Sequence, residues 1–265
     1  MDKINGKKRF LKVLDENFSI DGINVFLFLN SARMSSLLNS KEICKVYDYG
    51  KENDHYIIVS EYINSKPLNL FIHEEFPIPL KQIVDVISKI AMALRYAHQH
   101  GVVHGLLNPC SIFITDDGSI KIDDFCFHWI TTHLSTIEDA EAIFLSYHIS
   151  PELFKRIEKI DGRADIYSLG VILLQLLTDY TPINGNENGS IQNMRLPASI
   201  PSLCNLLADY PSRLEKIVSK SLDRNPENRY WNLKEFIDDL KLLKSKYLVS
   251  SKSYGKRNTV VNFKK

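Results

Sequence analysis

VVHGLLNPCSIFI, at residues 102–114, is followed by IKIDDFCF at residues 120–127, and these two stretches decide the fold. The runs SIFIT and SIKID within this region have the composition of two short strands, and Asp116, Asp117 and Gly118 join them. An Asp-Gly turn between alternating apolar runs is typical of an antiparallel hairpin. The sequence therefore predicts a hairpin at the centre of this region.

The chain before this hairpin is predicted to be rich in strands over its first 63 residues. Short apolar runs at residues 9–14, 43–49 and 55–62 favour strands, and the turn residues 50–54 predict that the last two form an antiparallel hairpin. Residues 25–38 instead carry apolar side chains at the spacing of a helix.

From residue 80 onward the pattern predicts helices. Residues 80–101 form a long helical pattern that ends at Gly101, a residue that commonly terminates helices. Residues 164–178 are apolar nearly all round, as in a buried helix, and amphipathic helices are predicted near 212–223 and 231–247. A small strand-rich part followed by a larger helical part indicates a bilobal α+β architecture.

Composition excludes several classes of protein. Hydrophobic residues make up 44% of the 265, and the 33 basic and 32 acidic residues give a net charge of +1. This balance gives no reason to expect a nucleic-acid or membrane-surface partner. The four cysteines contain no C-x-x-C pair, and neither a signal peptide nor a membrane-spanning run is visible. We therefore expect a cytoplasmic protein with reduced thiols.

The two opening stretches resemble the catalytic loop and the metal-binding motif of protein kinases, H-R-D-x-x-x-x-N and D-F-G. His104 matches the histidine of the first motif, and residues 124–126 match the second. Residues 150–152 resemble the A-P-E end of the activation segment, residues 60–63 the hinge, and residues 10–13 the strand that carries the V-A-I-K lysine, here Lys12. The resemblance covers residues 7–247 and is specific because the motifs occur in order.

This resemblance implies the bilobal protein-kinase-like fold. It divides the chain into a truncated, β-rich N-lobe at residues 1–63 and a larger helical C-lobe at residues 64–248. The N-lobe lacks the strands of the glycine-rich loop, because only 11 residues precede Lys12. Residues 249–265 carry five basic residues and no acid, and are predicted to be a disordered tail; a docking segment for an acidic partner is the alternative.

The catalytic positions of the family are degenerate. Leu106 stands where the family has the aspartate that orients the substrate hydroxyl, a contribution worth on the order of 10² to 10⁴ in rate. Asn108 replaces the loop lysine, and Ser111 replaces the asparagine that ligates the second Mg²⁺. These three substitutions predict that the chain has no catalytic residues.

The nucleotide-binding residues survive only in part. The resemblance leaves Lys12, Asp124 and the hinge backbone at Glu61 and Ile63 as vestigial candidates, with Asp124 the one candidate metal ligand. The helix glutamate that should pair with the lysine falls near residues 30 and 31, which are neutral, so no partner for Lys12 is evident. Asp123 is expected to point away, because successive strand residues face opposite sides.

The adenine slot carries two large side chains. Phe10 stands at the position of the V-A-I-K alanine, and Phe113 at the floor of the slot. An added phenyl ring in a close-packed site occupies a large volume and costs free energy unless the site has room for it. We therefore expect both rings to fill the pocket and complete an apolar core between the lobes. An open nucleotide pocket is the alternative.

The residues that maintain the fold in this family are retained. His104, Phe125 and Asp165 match positions that hold the catalytic loop together, and Glu152 with Arg229 matches the ion pair that fixes the activation segment. These five are therefore expected to be structural.

The sequence predicts a catalytically inactive pseudokinase that acts as a binding or regulatory module for a protein partner, with no cofactor. The alternative is a weakly active or ATP-binding serine/threonine protein kinase that uses ATP and Mg²⁺. A third interpretation is that strands encoded upstream of Met1 complete the glycine-rich loop. Such strands would not restore the catalytic base at position 106, which is Leu106.

Overall fold

The computed structural model describes residues 6–115, 117–126, 148–154, 160–178 and 210–248. The predicted tail at 249–265 lies outside these residues. The elements in chain order are β1 (Arg9–Val13), α1 (Glu16–Ser19), α2 (Gly22–Ser36), β2 (Val46–Glu52), β3 (His55–Glu61), β4 (Lys66–Pro67), α3 (Leu68–Glu75), α4 (Leu80–Gln99), β5 (Ile112–Ile114), β6 (Ile120–Ile122), α5 (Pro151–Phe154), α6 (Arg163–Thr178), α7 (Ser212–Ser221), a 3-10 turn (Pro226–Asn228), α8 (Leu233–Leu243) and a final π-turn (Lys244–Leu248).

The N-lobe contains a three-stranded antiparallel sheet in the order β1-β3-β2. The hairpin predicted between residues 43 and 62 is confirmed, but its first strand begins and ends three residues later than expected. The turn consists of Asn53 and Asp54, both with positive φ, as a two-residue type I′ hairpin requires. Gly50 and Lys51 therefore belong to β2.

Helix α2 covers one face of this sheet. It begins after Asp21, whose carboxylate accepts a hydrogen bond from the Ile23 N–H, and so satisfies one of the unpaired donors at the helix start. Phe28 and Ala32 of α2 are buried with Leu14 and Ile58 of the sheet. The predicted helix at 25–38 is confirmed, starting three residues earlier.

The C-lobe is built around α4 and α6. Helix α4 ends at Gln99, and Gly101 adopts the left-handed conformation (φ +72°) that terminates the helix. In α6 every residue from Ala164 to Thr178 is buried, which confirms the interpretation of an apolar, fully enclosed helix. Among the described helices, none is both long and apolar enough to cross a membrane.

A second small sheet, in the order β4-β5-β6, lies where the two lobes meet. The predicted hairpin is β5-β6, with Phe113 opposite Lys121. The segment before β2 also pairs with β6, because the Cys44 N–H donates to the Ile122 carbonyl at 2.8 Å. These bonds fix the residues after β6 against the N-lobe, and those residues belong to the candidate site.

Candidate functional site

The loop between α4 and β5 is anchored by one buried carboxylate, Asp165. Its oxygens accept hydrogen bonds from the backbone N–H groups of His104 (2.9 Å) and Gly105 (2.7 Å), and Nε2 of His98 lies 2.7 Å away. Burial alone would raise the pKa of Asp165, but the contacts with His98, His104 and Gly105 outweigh it and hold this pKa below its usual value. The structural role predicted for Asp165 is thus visible in its contacts.

His104 connects this loop to the residues after β6. Its Nε2 lies 2.9 Å from the Asp123 carbonyl, and its Nδ1 accepts the Leu106 N–H at 3.3 Å. This pair of contacts fits the neutral imidazole with the proton on Nε2, because Nδ1 must be free to accept. Burial lowers the pKa of His104, which favours the same neutral form. The ring also packs against Phe125, with centroids 4.7 Å apart.

Lys12 on β1 is held by two adjacent carboxylates. Its Nζ lies 2.8 Å from Oδ2 of Asp123 and 2.6 Å from Oδ1 of Asp124. Burial alone would lower the pKa of Lys12, but the two carboxylates outweigh it and hold this pKa above its usual value. The pKa of Asp123 is raised by burial and by the neighbouring charge of Asp124.

The expectation that Asp123 points away from Lys12 is wrong, and so is the expectation that Lys12 lacks a partner. Strand alternation does not apply, because β6 ends at Ile122 and Asp124 adopts a left-handed backbone with φ +61°. The Asp124 N–H folds back onto Oδ1 of Asp123 at 2.9 Å, which brings both carboxylates to one side. The feature of the sequence that could have indicated this arrangement is the pair of adjacent aspartates, Asp123 and Asp124.

The two helix positions predicted to face Lys12 make other contacts. The Ser31 hydroxyl donates to the Phe28 carbonyl within α2 at 2.6 Å, and Asn30 accepts from the Arg33 guanidinium at 3.0 Å. Two carboxylates beside Lys12 thus come from Asp123 and Asp124, after β6, rather than from α2.

Leu106, at the position of the family's catalytic aspartate, is an apolar core residue. Its side chain is 7% exposed and packs in a small cluster with Ile149, Leu153 and Ala164. A leucine side chain carries no donor or acceptor, so it can neither accept a proton nor orient a hydroxyl.

Asn108 and Ser111 use their polar atoms within the loop. The Asn108 amide donates to the Leu106 carbonyl at 2.9 Å, and its oxygen accepts the Cys110 N–H at 2.8 Å. The Ser111 hydroxyl donates to the Asn108 carbonyl at 2.9 Å and accepts the Asn108 N–H at 3.3 Å. Both side chains are buried, so they stabilise the loop rather than face a ligand.

An ion pair and a backbone hydrogen bond at Glu61 fix the hinge to the neighbouring strands. The Glu61 carboxylate accepts from Lys121 Nζ at 2.7 Å, and the Glu61 N–H donates to the Lys45 carbonyl at 2.8 Å. The Glu61 carbonyl lies 3.5 Å from the Cys44 thiol, and Ile63 is partly exposed. The Glu61 carbonyl thus accepts from a thiol, which is a weak donor.

Phe10 and Phe113 do not complete an apolar core, which corrects the expectation of a filled slot. Phe10 is 49% exposed, and Phe113 is partly exposed; neither belongs to a buried cluster among the described residues. Phe10 lies on β1, and among the described strands only β3 pairs with β1.

Glu152 and Arg229 form the predicted ion pair. The two guanidinium nitrogens donate to the two carboxylate oxygens at 2.7 and 2.8 Å, and Arg229 is 3% exposed. Arg229 also donates to the backbone carbonyls of Asp223 (2.7 Å) and Arg163 (2.9 Å). This arrangement fixes α5 to the C-lobe.

The donor set does not match the divalent-metal site of the family. Within the described ranges no group of three or more His, Cys, Asp or Glu side chains is arranged to hold a metal ion. The carboxylates of Asp123 and Asp124 both contact the Lys12 ammonium, whose single positive charge offsets one of their two negative charges, and the Ser111 hydroxyl is hydrogen-bonded to its own loop. These residues therefore do not fit a bound Mg²⁺.

Comparison with known proteins agrees with this geometry. The family model described as the protein kinase domain matches residues 5–239. The chain belongs to the protein kinase family.

This kinase domain resembles bacterial serine/threonine-protein kinases. It is 31% identical over 248 residues to a probable serine/threonine-protein kinase of Clostridium acetobutylicum, covering 94% of this chain and 38% of that protein. It is 32% identical over 243 residues to PrkC of Bacillus subtilis, covering 91% of this chain and 37% of that protein. The kinase domain thus spans less than two fifths of the length of these relatives.

The fold also matches solved kinase domains. The crystal structure of the PknI kinase domain of Mycobacterium tuberculosis aligns with a TM-score of 0.70 and 24% identity, covering 89% of this chain and 85% of that one. The bilobal fold predicted from the motifs is therefore confirmed. Asp123, which pairs with Lys12, and His98, which contacts Asp165, are the site residues that sequence reasoning missed.

Proposed function

We propose that this kinase-family domain is a pseudokinase, a binding or regulatory module without phosphotransfer. The observation that carries the proposal is Leu106, a buried apolar side chain at the position of the catalytic aspartate. Phosphoryl transfer depends on positioning and electrostatic stabilisation, so a site without the orienting carboxylate loses a main contribution to rate.

The remaining loop supports the same proposal. Asn108 and Ser111 are both buried, and their polar atoms are hydrogen-bonded to the loop backbone. A single lost group would leave residual catalysis, but here the base and the second metal ligand are both replaced. The residues that hold the loop in shape, His104 and Asp165, are intact, so the fold is stable without the chemistry.

The test is incorporation of radiolabelled phosphate into general protein substrates from ATP with Mg²⁺ or Mn²⁺. We expect the wild type to match Asp124→Ala, which removes the last candidate metal ligand. The double variant Leu106→Asp with Ser111→Asn tests whether these two positions limit phosphate incorporation. Incorporation by the wild type that is lost in Asp124→Ala would overturn the proposal and favour the alternative, a weakly active serine/threonine kinase.

A nucleotide-binding function without phosphotransfer is the second candidate. It is favoured by Phe10, which is 49% exposed and leaves the slot less filled than the sequence predicts, and by Lys12, which is retained at the position of the family's V-A-I-K lysine. Because no cluster of His, Cys, Asp or Glu side chains within the described ranges is arranged to hold a metal ion, we expect such binding to occur without a divalent cation.

Thermal denaturation with ATP, with and without EDTA, tests this second function. A ligand at 100 times its Kd stabilises the folded state by about 2.7 kcal/mol, which a melting curve resolves readily. A shift in the wild type that persists in EDTA and is lost in Lys12→Ala supports it. The absence of any shift at millimolar ATP contradicts it.

The partner and the compartment belong to the same proposal. A pseudokinase acts by binding, so we expect a protein partner rather than a nucleic acid or a membrane. Cys44 and Cys126 are free thiols, which is typical of a reducing compartment, and a cytoplasmic location fits them.

A further inference from the structure

One short segment of the C-lobe contacts the N-lobe at every residue. It consists of residues 121–125, at the end of β6 and just after it, and we call it the interlobe segment. Its backbone contacts are at Ile122, whose N–H donates to the Glu42 carbonyl at 2.8 Å and whose carbonyl accepts the Cys44 N–H at 2.8 Å. These two hydrogen bonds join the lobes directly, so their amide protons report on any separation of the lobes.

Further contacts lie at the two ends of the interlobe segment. Lys121 Nζ lies 2.7 Å from the Glu61 carboxylate on β3, and the Phe125 carbonyl accepts the Ser35 hydroxyl of α2 at 3.4 Å. The segment thus contacts a strand and a helix of the N-lobe, besides the residues that precede β2.

An ion-paired lysine lies at the centre of the interlobe segment. Lys12 of β1 contacts both Asp123 and Asp124, and these three side chains are 16%, 12% and 42% exposed. Salt screens a partly buried pair such as Lys12 and Asp123 much less than a surface pair. Removing one partner of a buried pair is strongly destabilising, because the charge that remains is uncompensated.

Asp123 connects the two lobes through its two carboxylate oxygens. It lies outside the D-F-G-like motif at residues 124–126. Its Oδ1 accepts the Asp124 N–H of the C-lobe at 2.9 Å, whereas its Oδ2 lies 2.8 Å from Nζ of Lys12 in the N-lobe. One carboxylate thus joins the backbone of one lobe to a charged side chain of the other.

We propose that Lys12 and its two carboxylates form an interlobe lock. The Lys12 charge holds the two lobes in one arrangement, and its loss lets them separate at the interlobe segment while each lobe stays folded. Without the ammonium, the adjacent carboxylates of Asp123 and Asp124 repel each other and gain hydration only when the segment moves away from β1. This lock goes beyond the proposed function, because it requires neither nucleotide binding nor phosphotransfer.

Native-state hydrogen exchange of the 265-residue chain, followed by nuclear magnetic resonance, measures this separation at single amides. The reporters between the lobes are the amides of Cys44 and Ile122. The reporters within the lobes are the Leu14 amide, bonded to a β3 carbonyl at 2.9 Å, and the Val102 amide, bonded to an α4 carbonyl at 3.0 Å. In the wild type we expect similar protection factors at all four. Clearly faster exchange at the two interlobe amides overturns the proposal without any variant.

Lys12→Met removes the ammonium and keeps a side chain of similar length. We expect exchange at Cys44 and Ile122 to become at least about tenfold faster in this variant, and exchange at Leu14 and Val102 to change much less. Equal acceleration at all four amides would indicate a loss of global stability instead, and contradicts the proposal. Unchanged exchange at the interlobe amides contradicts it as well.

Two further variants test whether charge is the cause. Lys12→Arg keeps the positive charge, so its interlobe amides should exchange much more slowly than those of Lys12→Met. Adding Asp123→Asn to Lys12→Met should slow the exchange again, because it removes one of two uncompensated carboxylates and leaves an oxygen that can accept the Asp124 N–H. Identical exchange in Lys12→Arg and Lys12→Met, or no slowing on adding Asp123→Asn, rules out a lock based on charge.

Lys244→Met is the matched control. Lys244 Nζ lies 2.6 Å from the Asp85 carboxylate, but both residues belong to the C-lobe. We expect no acceleration at Cys44 or Ile122 in this variant, and circular dichroism confirms that each variant is folded. Acceleration as large as in Lys12→Met would overturn the proposal, because any lost ion pair would then loosen the contact between the lobes.

Discussion

Replacing Arg229 by alanine is expected to destabilise the domain by about 3 to 5 kcal/mol. The guanidinium is 3% exposed and makes two short hydrogen bonds to Glu152, which is itself 7% exposed. Removing it leaves a buried carboxylate without its charge partner. The carbonyls of Asp223 and Arg163 each lose a donor as well.

The size of the effect follows from which partner is removed. An unpaired buried charge costs more than the net contribution of the pair, because the desolvation penalty of the remaining ion is no longer offset. Glu152→Ala combined with Arg229→Ala should therefore be less destabilising than the sum of the two single variants. The positive coupling between them should exceed about 0.5 kcal/mol, the range found for residues in direct contact.

Urea denaturation monitored by circular dichroism measures the free energy of unfolding of these variants, from the midpoint and the m-value determined for each. Lys234→Ala is the control: it removes an ion pair with Asp238 in which both side chains are largely exposed, and should change the free energy of unfolding far less. A change below about 0.5 kcal/mol for Arg229→Ala, typical of a surface site, would refute the reasoning.

Three further predictions follow from the site and the core. Because burial lowers the pKa of His104, the unfolded chain takes up a proton near pH 6.5 that the folded domain does not. The free energy of unfolding should therefore fall as the pH drops below about 6.5, and this fall should be less steep in His104→Phe. Leu106→Asp should lower the free energy of unfolding by more than about 2 kcal/mol without restoring activity, whereas Leu106→Met should cost less than about 1.5 kcal/mol in the same denaturation assay. Gly170→Ala should cost about 1 to 3 kcal/mol, because its Cβ would lie 2.7 Å from Cβ of Ser221, while Gly22→Ala, with open space around it, should be neutral or stabilising. A neutral Gly170→Ala would contradict the packing of α6 against α7.

The family and the fold could be predicted from the sequence because each motif has a local cause. The hairpin at β5-β6, the termination of α4 at Gly101 and the buried character of α6 all follow from spacing and turn chemistry within short segments. The placing of Leu106 at the position of the family's catalytic aspartate needed only the sequence, since it requires the identity of one residue within a recognised motif.

The sequence alone also determined that Glu152 and Arg229 pair, because the resemblance fixed both positions; their bidentate geometry needed the structure. The partner of Lys12 was decided by tertiary structure. Asp124 adopts a left-handed backbone just after β6, and the alternation rule, which holds only for extended strands, fails there. The exposure of Phe10 was also decided by tertiary structure, because burial depends on what packs around β1, and among the described strands only β3 lies beside it.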